Sequence, residues 1–252
     1  MEKKALIQIR GLTKRFDQTT VLDNIDLDIY EGDITIILGE SGCGKSTLLK
    51  NIIRLVPPTE GEVKLFGNDM YNISEKDVEA ILSQIGVLFQ SDALLNSISL
   101  FDNIAVPIEQ HTNIRPELIE KMVRVKLNLV GLVDSMYKMP SELSGGMKKR
   151  ASLTRSIAMD PQVLFCDEPG AGLDPLTSLN LDKLLLKLKK ELGMTMVIVT
   201  HELLSVRRIC DRIVFLDKGK IAFTGTLEEA EDSEHPAVRR FFDAGSARHI
   251  KI

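Results

Sequence analysis

The run Ile34-Thr35-Ile36-Ile37-Leu38-Gly39-Glu40-Ser41-Gly42-Cys43-Gly44-Lys45-Ser46-Thr47 opens as a strand and ends as a phosphate cradle. Its first five residues are apolar and β-branched, over the length of a buried strand. The next nine match the Gly-four-residues-Gly-Lys-Ser pattern of a P-loop. Glycines at 39, 42 and 44 let the backbone turn sharply and present N–H groups to phosphate oxygens, and the start of the following helix adds partial positive charge. Lys45 supplies a mobile cation for the β- and γ-phosphates, and the Ser46 hydroxyl can ligate Mg²⁺. The whole loop, Gly39, Glu40, Ser41, Gly42, Cys43, Gly44, Lys45, Ser46 and Thr47, is therefore the candidate nucleotide cradle. Leu48, Leu49, Ile52, Ile53 and Val56 recur at helical spacing, so a helix is expected until Pro57-Pro58 stops it.

Outward from this loop, β-type runs occur at Leu6 to Ile9, Val21 to Ile29, Val63 to Phe66 and Ile85 to Phe89, so the first part of the chain reads as β-rich. From about Ser91 to Ala158 the character is helical, with Pro116 to Leu129 presenting Leu118, Met122, Val125 and Leu129 on one face. Strand patterns return at Val163 to Cys166 and Met196 to Val199, separated by a Leu-rich helix from Leu176 to Leu192 that Gly193 closes. Ile213 to Phe223, with Asp217-Lys218-Gly219-Lys220 at its middle, reads as a hairpin. Alternating strands and helices imply an α/β fold with a parallel core sheet and an inserted helical subdomain.

The chain has 252 residues, 44% apolar and 27% charged, with a net charge of -4. That is the balance of an ordinary globular protein without a basic footprint for nucleic acid. No apolar run approaches the ~20 residues of a membrane span, so any membrane link is expected to go through a partner. Cys43, Cys166 and Cys210 form no metal-ligand spacing, and a reduced cytosolic setting fits them best.

A second chemical element is Val163-Leu164-Phe165-Cys166-Asp167-Glu168, a strand that ends in two adjacent acids. Beside a P-loop this has the form of a Walker B motif, with Asp167 on the Mg²⁺ side of the phosphates and Glu168 able to orient or deprotonate an attacking water.

With Leu143-Ser144-Gly145-Gly146-Met147 between them, these motifs resemble the ATP-binding-cassette ATPases, and the resemblance runs through nearly the whole chain. It covers an aromatic at Phe16, the P-loop, Gln90 after a strand, the signature at 143–147, Asp167-Glu168, Ala171-Gly172-Leu173-Asp174 as a D-loop, and His201 after Thr200. It implies a P-loop cassette spanning 5–246 with its helical subdomain at about 91–158 and a tail at 247–252. It also implies ATP and Mg²⁺ as cofactors. Phe16 would stack on adenine, the alternative being a core ring at a strand end. Gln90 would reach the metal or the water, or else is a polar strand terminus. His201 would hydrogen-bond the γ-phosphate or the water, although a lone histidine after a strand is usually structural.

Ser144 can cap the helix that continues towards Ala158, and Gly145 and Gly146 leave its first N–H groups open as a second anion site. In the family, two subunits pack head to tail so that one signature covers the other's nucleotide, which implies a homodimer here. Lys148, Lys149 and Arg150 read as a solvated or subunit-facing patch. Met147 in place of the common Gln resembles the branch that serves lipid transport with permeases and mammalian-cell-entry type lipid-binding proteins. The segments Leu88 to Leu95, Phe101 to Ala105 and Val106 to Thr112 also resemble the phospholipid-trafficking ATPases of the Gram-negative envelope. That resemblance places the chain on the cytoplasmic side of a bacterial inner membrane, held by an integral permease. Leu94, Leu95 and Phe101 would then line the groove for a permease helix. Gly170 departs from the usual Thr or Ser after Asp-Glu-Pro. An ATPase for another solute, and a non-transport cassette protein, remain the competing classes.

Overall fold

The computed structural model describes residues 3–91 and 93–245. The expected tail at 247–252, and Asp92 within the segment after Gln90, lie outside the described residues. The chain divides into two compact units: one runs to Leu82 and resumes at Thr195, and the other is Ser83–Met194. The elements in chain order are β1 (Ala5–Phe16), β2 (Thr19–Tyr30), β3 (Ile34–Gly39), α1 (Lys45–Ile52), β4 (Glu60–Leu65), β5 (Asn68–Asp69), α2 (Glu75–Leu82), β6 (Ile85–Leu88), α3 (Leu100–His111) and α4 (Pro116–Leu129). They continue as α5 (Gly145–Ser156), β7 (Val163–Asp167), α6 (Pro175–Leu192), β8 (Thr195–Val199), α7 (Leu203–Ile209), β9 (Arg212–Asp217), β10 (Lys220–Gly225), α8 (Leu227–Glu231) and α9 (Pro236–Gly245).

The first unit holds two sheets. One is antiparallel in the order β2-β1-β4-β5, the β-rich part expected from the sequence. In the other, β3 lies between β8 and β9, parallel to both, and β10 pairs antiparallel with β9. Every residue of β3 is buried, which is what a strand covered on both faces requires and why it reads as a continuous apolar run. Its last residue must be glycine. Gly39 is at φ 148°, and a Cβ there would lie 2.2 Å from the Leu216 carbonyl oxygen of β9. The expected hairpin is present, with Lys218 and Gly219 both at positive φ between β9 and β10, the geometry of a tight two-residue turn.

The helix after the loop is shorter than its apolar spacing suggests. α1 ends at Ile52, four residues before Pro57 is reached, because Arg54 adopts φ 59° and turns the chain. The freed groups are then taken locally: the Leu55 and Val56 amides donate to the Lys50 carbonyl, and the Asn51 amide donates to the Val56 carbonyl at 2.7 Å. The Tyr71 hydroxyl donates to the Asn51 carbonyl at 2.7 Å, and burial pushes that phenol up to about 12. Helix α2 was not foreseen. Its sequence signal is Ser74-x-x-Asp77: the Ser74 hydroxyl accepts from the Asp77 amide and donates to its carboxylate, closing the first turn.

The second unit carries the parallel pair β6 and β7 with α3, α4, α5 and α6. Among its described residues, the segment expected to be helical from Ser91 has no helix before α3 at Leu100, where Ser99 and Asp102 form a capping box. The loop before α3 is held by one side chain. Asn103, fully buried, accepts from the Leu95 amide at 2.8 Å and donates to the carbonyls of Leu95, Ile98 and Ser99 at 3.0, 3.3 and 2.9 Å. Removing these bonds strands several backbone groups, so Asn103→Ala is expected to cost about 2–3 kcal/mol of stability, read as a lower denaturant midpoint at unchanged slope. An unchanged midpoint would show that water replaces the amide. α6 follows the sequence closely, with Asp174 as its cap, Pro175 in its first turn and Gly193 at φ 63° beyond its end.

Candidate nucleotide site

The loop between β3 and α1 is organised around the Lys45 ammonium. Lys45 is buried and its Nζ donates to the carbonyls of Gly39 at 2.8 Å and Glu40 at 2.9 Å, with the Cys43 sulfur at 3.9 Å. A buried cation held by carbonyls is poised for an anion to complete its neutralisation. The helix start points the same way: α1 begins after Gly44 with no side-chain cap, whereas α5 and α6 are capped by Ser144 and Asp174. No capping side chain covers that helix start, the arrangement in which a helix N-terminus receives an anion. Gly42, at φ 80°, faces open space, so nothing obstructs the backbone there. Burial pushes the Cys43 thiol above its ordinary range, against the opposing pull of Lys45, so this cysteine is a protonated packing residue of the loop. The residues present fit a nucleotide phosphate group.

Two further candidates lie in the same unit. Phe16 closes β1 opposite Thr19 and is 46% exposed, with Lys14 Nζ 4.8 Å from the ring centroid, which excludes the core reading of this ring. His201 is exposed immediately after β8 and Thr200. It shares a cleft of about 490 Å³ with Glu40 of the loop, Leu203, and Arg240, Phe241 and Ala244 of α9. Nothing in local sequence pattern marks Arg240 for this place, since it is brought there by α9, which Phe241 anchors edge-on against Phe215 at 5.5 Å.

The second unit holds the remaining candidates. Gln90 is exposed and lies two residues beyond the end of β6 rather than at the strand end. Asp167 ends β7, and Glu168 follows it at φ 49°, a left-handed conformation that side chains other than glycine adopt at a cost of about 1–3 kcal/mol. Cys166, wholly buried in that strand, has its thiol pushed up to about 12.

The Ser144 hydroxyl accepts from the Met147 amide at 3.3 Å and so caps α5 as expected. The two signature glycines differ. Gly145 faces open space, whereas a Cβ on Gly146 would lie 2.7 Å from the Thr177 methyl of α6. One is needed for access and the other for packing. Ser144, Gly145, Gly146 and Asp174 line a common cleft of about 660 Å³ together with Lys149, Lys183 and Lys187. Asp174 has a task the sequence reading did not assign: its carboxylate accepts from the Leu176 and Thr177 amides at 3.0 Å each and from the Thr177 hydroxyl at 2.5 Å. The Thr177 hydroxyl bond is the main reason its carboxyl is held below the usual range. The basic run is also corrected. Lys149 is 6% exposed and donates to the Gln90 carbonyl at 2.5 Å, so it is not a solvated charge, while Arg150, half-buried, donates to the Val130 carbonyl at 3.0 Å. Leu94 is likewise buried at 9% exposure, while Leu95 is 48% exposed.

A buried strand, a glycine loop around a buried lysine, and an uncapped helix start define a nucleotide-binding α/β protein of the P-loop class. Comparison with known proteins narrows the class. The family model for ABC transporters matches residues 22–171. The chain is 38% identical over 247 residues to the intermembrane phospholipid transport system ATP-binding protein MlaF of Haemophilus influenzae, spanning 98% of this chain and 94% of that protein. It is also 38% identical over 237 residues to the probable ribonucleotide transport ATP-binding protein mkl of Mycobacterium leprae, covering 94% of this chain and 68% of that one. The methionine import ATP-binding protein MetN of Haemophilus influenzae is 37% identical over 228 residues, at 89% and 66% coverage. Among solved structures, the dimeric post-hydrolysis state of the ATP-binding cassette MJ0796 bound to ADP and Pi superimposes with a TM-score of 0.79 at 30% identity, covering 88% of this chain and 98% of that one. The chain belongs to the ABC transporter family and is its ATP-hydrolysing cassette.

Proposed function

We propose that this ATPase powers lipid transport through a partner permease, working as a homodimer at the cytoplasmic face of a bacterial inner membrane. The observation that supports the lipid reading is the 38% identity to MlaF over 247 residues, 98% of this chain. Among the described residues no helix is long and apolar enough to cross a membrane, so the permease must be a separate chain or segment. A mammalian-cell-entry type lipid-binding protein is the further partner this reading implies.

In the proposed reaction, Lys45 and the first amides of α1 hold the phosphates and Phe16 offers its exposed ring to the base. Glu168 orients and deprotonates the attacking water, with His201 and Gln90 hydrogen-bonding the water or the γ-phosphate. Among the described residues no three His, Cys, Asp or Glu side chains cluster to hold a metal. Ser46, Asp167 and Gln90 are instead the oxygen donors suited to Mg²⁺, a metal that commonly takes its other ligands from phosphate and water. When bound, it would neutralise charge on the β- and γ-phosphates. The signature of one subunit, with Ser144 and the amides beyond it, closes over the nucleotide of the other. Asp174 is the D-loop acid of the nucleotide site in this reading: it lines the same cleft as Ser144 while its carboxylate caps α6.

The permease surface of this proposal centres on the loop that Asn103 holds. It presents Leu95, half exposed, and beyond it lie Phe101 and the 68% exposed Tyr137, whose rings are 6.2 Å apart. Exposed apolar side chains of this kind suit an aromatic or aliphatic anchor from a partner helix. Leu95→Asp is expected to abolish copurification with the permease and permease-stimulated ATPase while ATP binding and melting stay normal. The subunits that copurify with the wild-type chain decide the cargo class. A permease with a lipid-binding protein supports the lipid reading, and a permease with an amino-acid or nucleoside binding protein rejects it in favour of the solute transport named for MetN and mkl.

A further inference from the structure

We infer that Lys149 is a positioning residue that couples Gln90 to the signature helix, so that the two anion-facing segments of the second unit move as one body. The inference rests on the proposed roles of Gln90 and the signature. It begins from an anomaly of burial. Lysine is rarely buried, and removing its ammonium from water costs several kcal/mol unless good partners replace the solvent. Lys149 is nevertheless 6% exposed, and its Nζ donates at 2.5 Å to a main-chain carbonyl 59 positions away, that of Gln90.

The acceptor matters as much as the donor. Gln90 is an exposed loop residue whose carbonyl could be satisfied by water, and a charge-assisted bond to it fixes the orientation of the Gln90–Ser91 peptide. That peptide sets ψ at Gln90 and therefore the direction from which its side chain is projected. The donor sits five residues beyond the Ser144 cap on α5, whose first amides are the signature's anion site, and it also lines the cleft that contains Ser144, Gly145 and Gly146. A shift of Gln90 must therefore either break a buried charged hydrogen bond or carry the start of α5 with it. The second is the easier course, and it makes Lys149 the link by which occupancy sensed at Gln90 orients the signature.

The test is a double-mutant cycle on turnover of the full chain, using Lys149→Met, which keeps the stem and removes the donor, and Gln90→Ala, which keeps the carbonyl. If Lys149 acts through Gln90, each single variant lowers kcat by about tenfold with KM for ATP within about twofold of wild type. The double variant is then no slower than the slower single, and Lys149→Arg restores most of the rate. A merely structural lysine would lower melting temperature in both backgrounds and give multiplicative losses, near a hundredfold in the double variant. That additive result, with Gln90→Ala impaired, overturns the coupling while leaving the role of Gln90 intact. Normal turnover in Gln90→Ala removes the sensor role itself and the inference with it. Should Lys149→Met fail to fold, Lys149→Leu, which likewise lacks a donor, replaces it in the same cycle with the same criteria.

Discussion

Glu168→Gln is expected to lose ~10²–10⁴ of its turnover, the usual contribution of a positioned general base, while still binding Mg-ATP. The substitution is nearly isosteric and leaves the left-handed backbone at φ 49° with a side chain of the same reach, so the strand and turn that aim it are preserved. Because the nucleotide is held but not consumed, closed dimers should accumulate. Single-turnover hydrolysis and gel filtration in the presence of Mg-ATP measure the two consequences. Hydrolysis at a near-normal rate would reject Glu168 as the base, and loss of nucleotide binding would show that the carboxylate serves the fold of the site instead.

Ser144→Arg and Lys45→Ala should fail for different reasons and repair each other. Lys45→Ala removes the ammonium that Gly39 and Glu40 hold in the loop. A lost charge-assisted contact of about 1.5–3 kcal/mol weakens ATP binding roughly 10–100-fold. Ser144→Arg sacrifices one helix cap, worth about 1 kcal/mol, and puts a long cation at the mouth of the signature. Its own P-loop is untouched, so ATP binding by the single subunit should remain while closure and turnover are lost. In a mixed dimer one composite site carries both lesions and the other carries neither, and partial ATPase recovery on mixing is the expected result. Full activity of a monomer at high dilution would sink the shared-site arrangement.

The motifs were legible in sequence because each is a local object. The strand, glycine loop and helix of the P-loop occupy adjacent residues, and their order is set by β-branching, positive-φ tolerance and helical period. The cap, first-turn proline and terminal glycine of α6 are likewise read within one segment, and its bounds came within a residue of Pro175–Leu192. The Lys218-Gly219 turn announced its hairpin for the same reason. Where the reading failed, the deciding contact was remote in sequence or depended on a single backbone angle. α1 stops at Ile52 because Arg54 turns left-handed, and the Tyr71 hydroxyl joins the Arg54 amide on the Asn51 carbonyl; apolar spacing carries no trace of either. Leu94 and Leu95 have the same local character, yet Leu94 is buried while Leu95, whose main chain Asn103 holds, is exposed.

The sequence by itself determined which chemistry the chain can perform: phosphate binding, a paired-acid strand end and a capped glycine helix start all follow from residue type and order. Tertiary structure alone decided how those parts are held. Gly146 is required by the Thr177 methyl, Asp174 is committed to the start of α6, and Lys149 is withdrawn from solvent to the carbonyl of Gln90. The physical reason is that burial and hydrogen-bond partnership are properties of contacts between segments, and a lysine whose partner lies 59 residues away looks, in its own neighbourhood, like any surface cation.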